Sequence, residues 1–270
     1  MSDDDFSPFV APRPRTADKG HYGTLSGVGG EQGFAGAARL AAEAGARGGA
    51  GLTSAAPRAA HAAQLGMGRP ELMCHAVEEP KQLEPLLQRA TVVAIGPGLG
   101  RGEWGRAMLG RILESHLPLV VDADALSALA GEPARRDDWI LTPHPGEAGR
   151  LLGCSPGEVQ ADRFAAAAGI QASFGGVCVL KGAGTLVDDG AGLPALCRGG
   201  NPGMASGGMG DVLTGVIAGL LAQGMGPQTA ARLGVWLHAA AADAAAVDGE
   251  RGMLATDLYP HLRCLANPSP

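Results

Sequence analysis

The sequence predicts an α/β protein with a mainly parallel central sheet covered by helices on both faces, and three observations carry that prediction. Short apolar runs recur along the chain, each closed at once by a turn rich in Gly, Pro or Asp. Helix-like stretches separate these runs, and strand–helix alternation is the pattern of parallel strands joined by crossover helices. With 46% hydrophobic and 18% charged residues, the 270-residue chain can bury a large core, which excludes wholesale disorder. The expected organisation is a flexible segment over residues 1–17 followed by a single domain over residues 18–268.

In chain order, residues 35–46 read as an Ala-rich helix ending near Gly45, and RGGAGLTSAA after it as a turn into a strand. Residues 91–95 are a strand before GPGLG. Residues 104–115 are a helix carrying Met108, Leu109, Ile112 and Leu113 on one face. Residues 117–121 form a strand before Asp122-Ala-Asp124, and residues 139–142 a strand before PHPGE. An Ala-rich helix follows over residues 158–173, then a strand over 177–180 before KGAGT, and finally an apolar helix over 212–222. In an open parallel sheet, ligands collect outside the carboxyl ends of the strands. All these turns fall there, so they are expected to converge on one site.

Composition narrows the partners. A formal charge of −6 lacks the basic face a nucleic-acid binder needs, so any anion must be met locally. The cations beside glycine-rich turns are Lys19, Arg47 and Lys181. The five cysteines are widely spaced with no CxxC or Cys/His ligand pattern, which points to reduced thiols in the cytoplasm. The opening MSDDDFSPFVAPRPR has no apolar signal-peptide core, and residues 212–222 are too short an apolar run to span a bilayer. A soluble, cytoplasmic protein with no membrane attachment is expected.

The densest chemical signal is NPGMASGGMGDVLTGVIAGLLAQG, from Asn201 to Gly224. Gly207, Gly208 and Gly210 leave backbone amides unobstructed where an apolar helix begins, so amides and helix dipole point at one spot suited to a migrating phosphoryl group. Asp211 at its rim is placed to act as general base toward a substrate hydroxyl, although Asp also caps helices routinely. Lys181-Gly-Ala-Gly-Thr185 offers a point charge and close backbone approach to phosphate, or is a simple turn with an exposed Lys. In TPHPGE, a proline-stiffened turn projects His144 either to contact a substrate ring or phosphate, or merely into solvent. Glu147 organises water around a nucleotide-bound Mg2+, or merely caps the next helix. Asp122 and Asp124 are candidates for metal or hydroxyl contacts and equally good turn formers.

Together these pieces resemble the ADP- or ATP-dependent NAD(P)H-hydrate dehydratases, a family of ribokinase-like three-layer α/β/α fold. The resemblance rests on KGHYG, GAARLAAEAGARGGAGL, GPGLG, VVDADAL, LTPHPGEAGRLLG, LKGAGTLV and NPGMASGGMGDVL, and runs from about Lys19 to Gly224. It implies that Lys181, Gly182, Ala183, Gly184 and Thr185, with Asn201, Gly208 and Gly210, bind the nucleotide. It likewise implies that Ala37, Gly98, His144 and Asp211 bind the hydrated dinucleotide. The implied reaction dehydrates the S epimer of NADH-hydrate or NADPH-hydrate with ADP or ATP as donor and Mg2+ as cofactor, Asp211 being catalytic and Glu147 holding the metal through water. The resemblance also implies a homotetramer and cooperation with a separate NAD(P)H-hydrate epimerase. Glu31 and Ala35 depart from the family's usual GGS and Pro. A vitamin-precursor kinase of the same superfamily would share the glycine cluster and Asp211, and a non-catalytic nucleotide sensor would share the cradle alone.

Overall fold

A computed structural model describes residues 12–267. Of the segment 1–17 expected to be flexible, residues 1–11 lie outside the described residues, as does residue 268 of the expected domain. Over residues 12–17 the chain follows the surface, where Arg13 stacks 3.6 Å above the Tyr22 ring and donates to the Gly49 carbonyl.

The strands are β1 (Thr24–Val28), β2 (Leu52–Ala56), β3 (Met73–Cys74), β4 (Val92–Ile95), β5 (Leu119–Val121), β6 (Trp139–Leu141), β7 (Val177–Leu180), β8 (Thr185–Asp188) and β9 (Ala195–Cys197). The helices are α1 (Ala35–Arg47), α2 (Ala59–Met67), α3 (Glu84–Leu87), α4 (Glu103–Leu113), α5 (Ala123–Gly131), α6 (Pro145–Leu152), α7 (Pro156–Ala161), α8 (Arg163–Phe174), α9 (Met209–Ala222), α10 (Pro227–Ala245) and α11 (Leu258–Leu265). The strands form one sheet in the order β3-β2-β1-β4-β5-β6-β7-β8-β9, parallel as far as β7 and antiparallel across β7–β8 and β8–β9.

Alternation along the strands builds two cores. Val92, Ala94, Val120, Ile140 and Val179 pack toward α1, α9, α10 and α11, whereas Val93, Ile95, Val121, Leu141 and Cys178 pack toward α4, α5, α6 and α8. Three layers result, as expected. α9 is buried on every side because it lies between the sheet and α1. Added Cβ atoms on Gly215 and Gly219 would stand 2.1 Å from the Ala41 carbonyl oxygen and 2.4 Å from that of Gly45. Glycines on both helices thus let the backbones nearly touch, and Gly45, near which the helix was expected to end, lies inside α1, which runs to Arg47.

Register aligns the strand ends: Val28 pairs with Ile95, Ile95 with Val121 and Val121 with Leu141. The turns after β1, β4, β5, β6 and β7 therefore emerge at one edge. Three expectations are corrected. The helix over 158–173 is two helices, because Asp162 adopts φ −143° and its carboxylate accepts from the Ala165 amide as a new N-cap. KGAGT is a hairpin turn, with Thr185 already in β8, and the antiparallel pair β8–β9 was not foreseen. The expected strands 91–95, 117–121 and 139–142 are each shorter by one or two end residues.

Candidate active site

The N-terminus of α9 is the focus of this edge. Gly208 caps it with φ 91°, a left-handed conformation that glycine adopts without steric cost, and a Cβ there would meet the Leu40 side chain at 2.5 Å. The first helical bond runs from the Val212 amide to the Gly208 carbonyl, which leaves the amides of Met209, Gly210 and Asp211 without intrahelical acceptors. These are the unobstructed donors expected from the glycine cluster, although the helix starts at Met209, two residues before Asp211.

Asp211 stands in this first turn, partly exposed. Its carboxyl is pushed up to about 7, first by burial, then by Asp122, with Glu147 and Asp124 adding to the effect and Lys181 opposing it. A carboxyl balanced near neutrality suits proton acceptance from a hydroxyl.

Lys181 is less free than its expected role as a phosphate cation required. From the end of β7 its ammonium donates to Asp122 Oδ1 at 2.5 Å and lies 3.8 Å from Glu147 Oε2. The second oxygen of Asp122 accepts from the Thr214 hydroxyl, one turn into α9, at 2.8 Å. Burial alone would lower the Lys181 pKa, but Asp122, Glu147 and Asp211 reverse this and hold it above its ordinary value. The ammonium nevertheless reaches the helix terminus, since a Cβ on Gly210 would stand 3.3 Å from Nζ. Asp122 is 1% exposed, so it is no free turn former. Asp124 accepts from the Gly100 amide and from Arg101, both at 3.1 Å, and ties GPGLG to the next strand end.

A cavity of about 610 Å³ opens on one side of the turn, within the roughly 300–1,000 Å³ typical of small-molecule sites. The residues of the KGAGT hairpin, with His144, Asn201, Met209 and Gly210, line it, which unites most of the residues expected to bind nucleotide. Thr185 closes the hairpin through its hydroxyl to the Gly182 carbonyl at 3.0 Å. Asn201 accepts from the Gly203 amide and donates to Asp243 Oδ1, each at 3.0 Å. Gly208 and Asp211 share the helix turn but do not line this cavity.

Two groups here escaped sequence reasoning. Arg163, at the start of α8, donates to the Leu180, Lys181 and Gly184 carbonyls at 3.2, 3.4 and 3.1 Å, clamping the hairpin. His238 of α10 lines the cavity, held neutral by burial that takes its pKa down to about 4. Neither lies in a motif, and only the Arg at a helix start was visible.

On the other side of the turn, Gly98 and Ala37 meet. A Cβ on Gly98, at φ 63°, would lie 3.3 Å from that of Ala37 and 2.4 Å from the Phe34 carbonyl oxygen. The departing residue Glu31 closes this wall: its amide and that of Gly30 donate to the Gly98 carbonyl at 2.8 and 2.7 Å. His144, expected with Ala37 and Gly98, lines the opposite cavity instead. Its Nδ1 accepts from the Gly146 amide at 2.9 Å and its own amide donates to Glu147 Oε2 at 2.8 Å, a reciprocal cap of α6. Lys19 and Arg47 lie before β1 and at the far end of α1, at the opposite edge of the sheet, and take no part.

Among the described residues no group of three or more His, Cys, Asp or Glu has the arrangement of a metal cage. The buried carboxylates of Asp122 and Glu147 beside the anion-facing helix end fit a cation that arrives with phosphate and water ligands of its own, the usual habit of Mg2+.

A three-layer sheet protein with a nucleotide-sized cavity and a bare helix N-terminus at the strand ends belongs to the ribokinase-like class, whose solved members share this architecture. Within that class the chain belongs to the NAD(P)H-hydrate dehydratase family, whose model matches residues 26–263. It is 55% identical over 262 residues, 97% of its length, to a bifunctional NAD(P)H-hydrate repair enzyme of Coxiella burnetii, covering 54% of that protein. It is 41% identical over 271 residues to an ADP-dependent (S)-NAD(P)H-hydrate dehydratase of Neisseria meningitidis, covering 94% of this chain and 88% of that one. The chain thus spans about half the length of the bifunctional relatives it matches. A Bacillus subtilis ADP/ATP-dependent NAD(P)H-hydrate dehydratase co-crystallised with ATP/Mg2+ superposes with a TM-score of 0.86 at 29% identity, over 98% of this chain and 96% of that one. No helix among the described residues is long and apolar enough to cross a membrane.

Proposed function

We propose that this chain returns the S epimer of hydrated NADH or NADPH to the reduced cofactor, using ADP or ATP. The single observation that carries the reading is the first turn of α9: open amides and a carboxyl near pKa 7, between a nucleotide-sized cavity and the Gly98–Ala37 wall. Hydroxide is a poor leaving group, so the C6 hydroxyl of the hydrate needs activation. Asp211 takes its proton as the oxygen attacks the terminal phosphorus of the nucleotide, whose bond to the departing AMP or ADP breaks. The open amides of Met209 to Asp211 receive the charge on the migrating group. The ring nitrogen lone pair then expels inorganic phosphate as the C6–O bond breaks, and loss of a proton from C5 of the resulting iminium to water restores the C5–C6 double bond. The balance is hydrate plus ADP to reduced cofactor, AMP and phosphate, or the ATP equivalent.

In this reading residues 181–185, Asn201, Gly208 and Gly210 cradle the nucleotide, Ala37 and Gly98 bound the nicotinamide end, and His144 stands between the two ligands. Mg2+ enters with the nucleotide and neutralises phosphate charge, with Glu147 near its water shell. One unit over residues 18–268 carries the activity, in the cytoplasm, an environment that suits its five free cysteines. Assembly as a homotetramer and supply of the S epimer by an NAD(P)H-hydrate epimerase belong to the same reading.

The test is incubation with hydrated NADH and either ADP or ATP, following reduced-nicotinamide absorbance and phosphate together. Recovery of both in equal amounts is expected. A stable phosphate ester with no recovered absorbance would make the protein a small-molecule kinase, and absence of nucleotide turnover would sink both.

A further inference from the structure

Phe34 is 56% exposed although it belongs to the wall of the site. It closes the turn over residues 31–34, its amide donating to the Glu31 carbonyl at 2.8 Å. It is also the N-cap of α1, a position where Ser, Thr, Asp or Asn would satisfy an open amide and an aromatic ring does not. The turn is anchored, since the Gly98 carbonyl accepts from the Gly30 and Glu31 amides, and a Cβ on Gly98 would lie 3.1 Å from that of Phe34. There is room beside it, because added Cβ atoms on Gly33 and Gly36 would meet nothing within 4 Å. A large apolar ring held in water on an anchored turn forgoes the stabilisation of burial, which a ligand laid against it recovers.

Helix packing sets where this ring stands. α1 and α9 run side by side in step, the Ala41 carbonyl meeting Gly215 and the Gly45 carbonyl meeting Gly219. One turn earlier on both helices Ala37 falls level with Asp211, and almost a turn before that Phe34 falls level with Gly208, where α9 begins. The GPGLG turn reaches the same place from the sheet. A Cβ on Gly96 would meet the Asp122 carbonyl, and the Asp122 carboxylate is bonded to Thr214 of α9. A substrate ring against Gly98 and Ala37 therefore has the first turn of α9 and the incoming phosphoryl group on one side, and Phe34 within reach on the other.

The chemistry defines what an aromatic ring does there. Expulsion of phosphate leaves an iminium whose positive charge is shared between the ring nitrogen and C6. Loss of the C5 proton completes the reaction. Water that reaches C6 first bonds through its oxygen to that carbon, releases a proton and restores a hydrate, so that one nucleotide is cleaved with no reduced cofactor formed. Attack on the face opposite the departed phosphate gives the R epimer. An aromatic face attracts a cation and displaces water from it. We infer that Phe34 covers the ring face turned away from the migrating phosphoryl group, holds the iminium by cation–π contact and keeps water from C6 until the C5 proton has left. The inference rests on the dehydratase reading and deepens it, by naming the residue that protects the intermediate.

The test starts from the S-hydrate of NADH with ADP and follows reduced nicotinamide by absorbance, inorganic phosphate, and the R epimer by chromatography. The unaltered protein should form phosphate and reduced nicotinamide in equal amounts. Phe34→Ala should form at least about twice as much phosphate as reduced nicotinamide and accumulate the R epimer beyond a nucleotide-free control. Its kcat for reduced nicotinamide should fall roughly tenfold, the scale of one desolvated cation–π contact. Phe34→Tyr should restore equal amounts, and Phe34→Leu, which keeps bulk without an aromatic face, should hold the ratio near one while kcat stays low. The ratio is set within each active molecule, so loss of folded protein does not move it. Equal amounts from Phe34→Ala overturn the inference, as does an unaltered kcat in Phe34→Leu. A changed assembly state of Phe34→Ala in light scattering with an unmoved ratio also overturns it and gives the ring to a contact between copies. Failure of the unaltered protein to recover any reduced nicotinamide is the separate result that removes the dehydratase reading itself.

Discussion

Burial and three neighbouring carboxylates push the Asp211 carboxyl up to about 7, so near neutral pH it exchanges between acid and base forms. Only the base form can accept the substrate proton, and turnover is expected to climb as pH rises through about 7. The same shift acts on stability with the opposite sense. The folded pKa lies above the ordinary value of 3.8, so between the two the folded state keeps a proton that the unfolded state has lost. Stability contributed by this group is therefore present below about 4 and lost as pH rises to about 7. Asp211→Asn should cut kcat by roughly 10²–10⁴-fold and raise the melting temperature more at about pH 8 than at about pH 5. Turnover assays and melts at the two pH values check both; an equal gain at both would mean the carboxyl is not shifted. Lys181 is bound to the buried Asp122, and Lys181→Met would strand that carboxylate, at a cost of about 3–5 kcal/mol in urea unfolding. Adding Asp122→Asn should recover most of the loss.

At the scale of elements, the helix pair α1–α9 decides whether the site exists. Gly215 and Gly219 bring the two backbones so close that Gly215→Ala would push a methyl group into the Ala41 carbonyl. Overpacking of this kind costs about 1–3 kcal/mol, and because α9 carries Asp211 the shift should also lower kcat. A denaturant midpoint measured beside kcat checks the pair, and a loss of stability with unaltered turnover would show that the helix terminus tolerates the movement. These glycines read from sequence only as part of a glycine-rich apolar helix. Their purpose needs the neighbour, α1, which lies more than 150 residues away in the chain. Likewise, the break at Asp162 was masked by Ala-rich helical composition on both sides. The strands β8 and β9 were hidden by their brevity and by Asp, Gly and Pro around them, although Leu186 and Val187 carried a faint strand signal.

For the molecule as a whole, two cores on either side of the sheet hold its carboxyl edge rigid, and binding there should feed back on global stability. ADP at about 100 times its dissociation constant should stabilise the fold by about 2.7 kcal/mol, a rise of several degrees in melting temperature. Asp211→Asn should keep that rise, because the cradle is built from the hairpin after β7 and the loop before α9. Melting curves with and without ADP test this, and loss of the shift in the variant would move Asp211 from proton transfer into nucleotide binding.

The sequence alone determined the layered sheet, the edge at which its turns gather, the anion-facing start of α9 and Asp211 beside it. Those features depend on local pattern: alternation of apolar runs, glycines where backbone must be bare, and an acid at a helix start. Only the tertiary structure decided that Lys181 is bonded to Asp122, that His144 faces the cavity beside the KGAGT hairpin and that Arg163 clamps that hairpin. Each of these depends on which side chains meet through space, and strand register and helix packing, absent from any short stretch of residues, fix that.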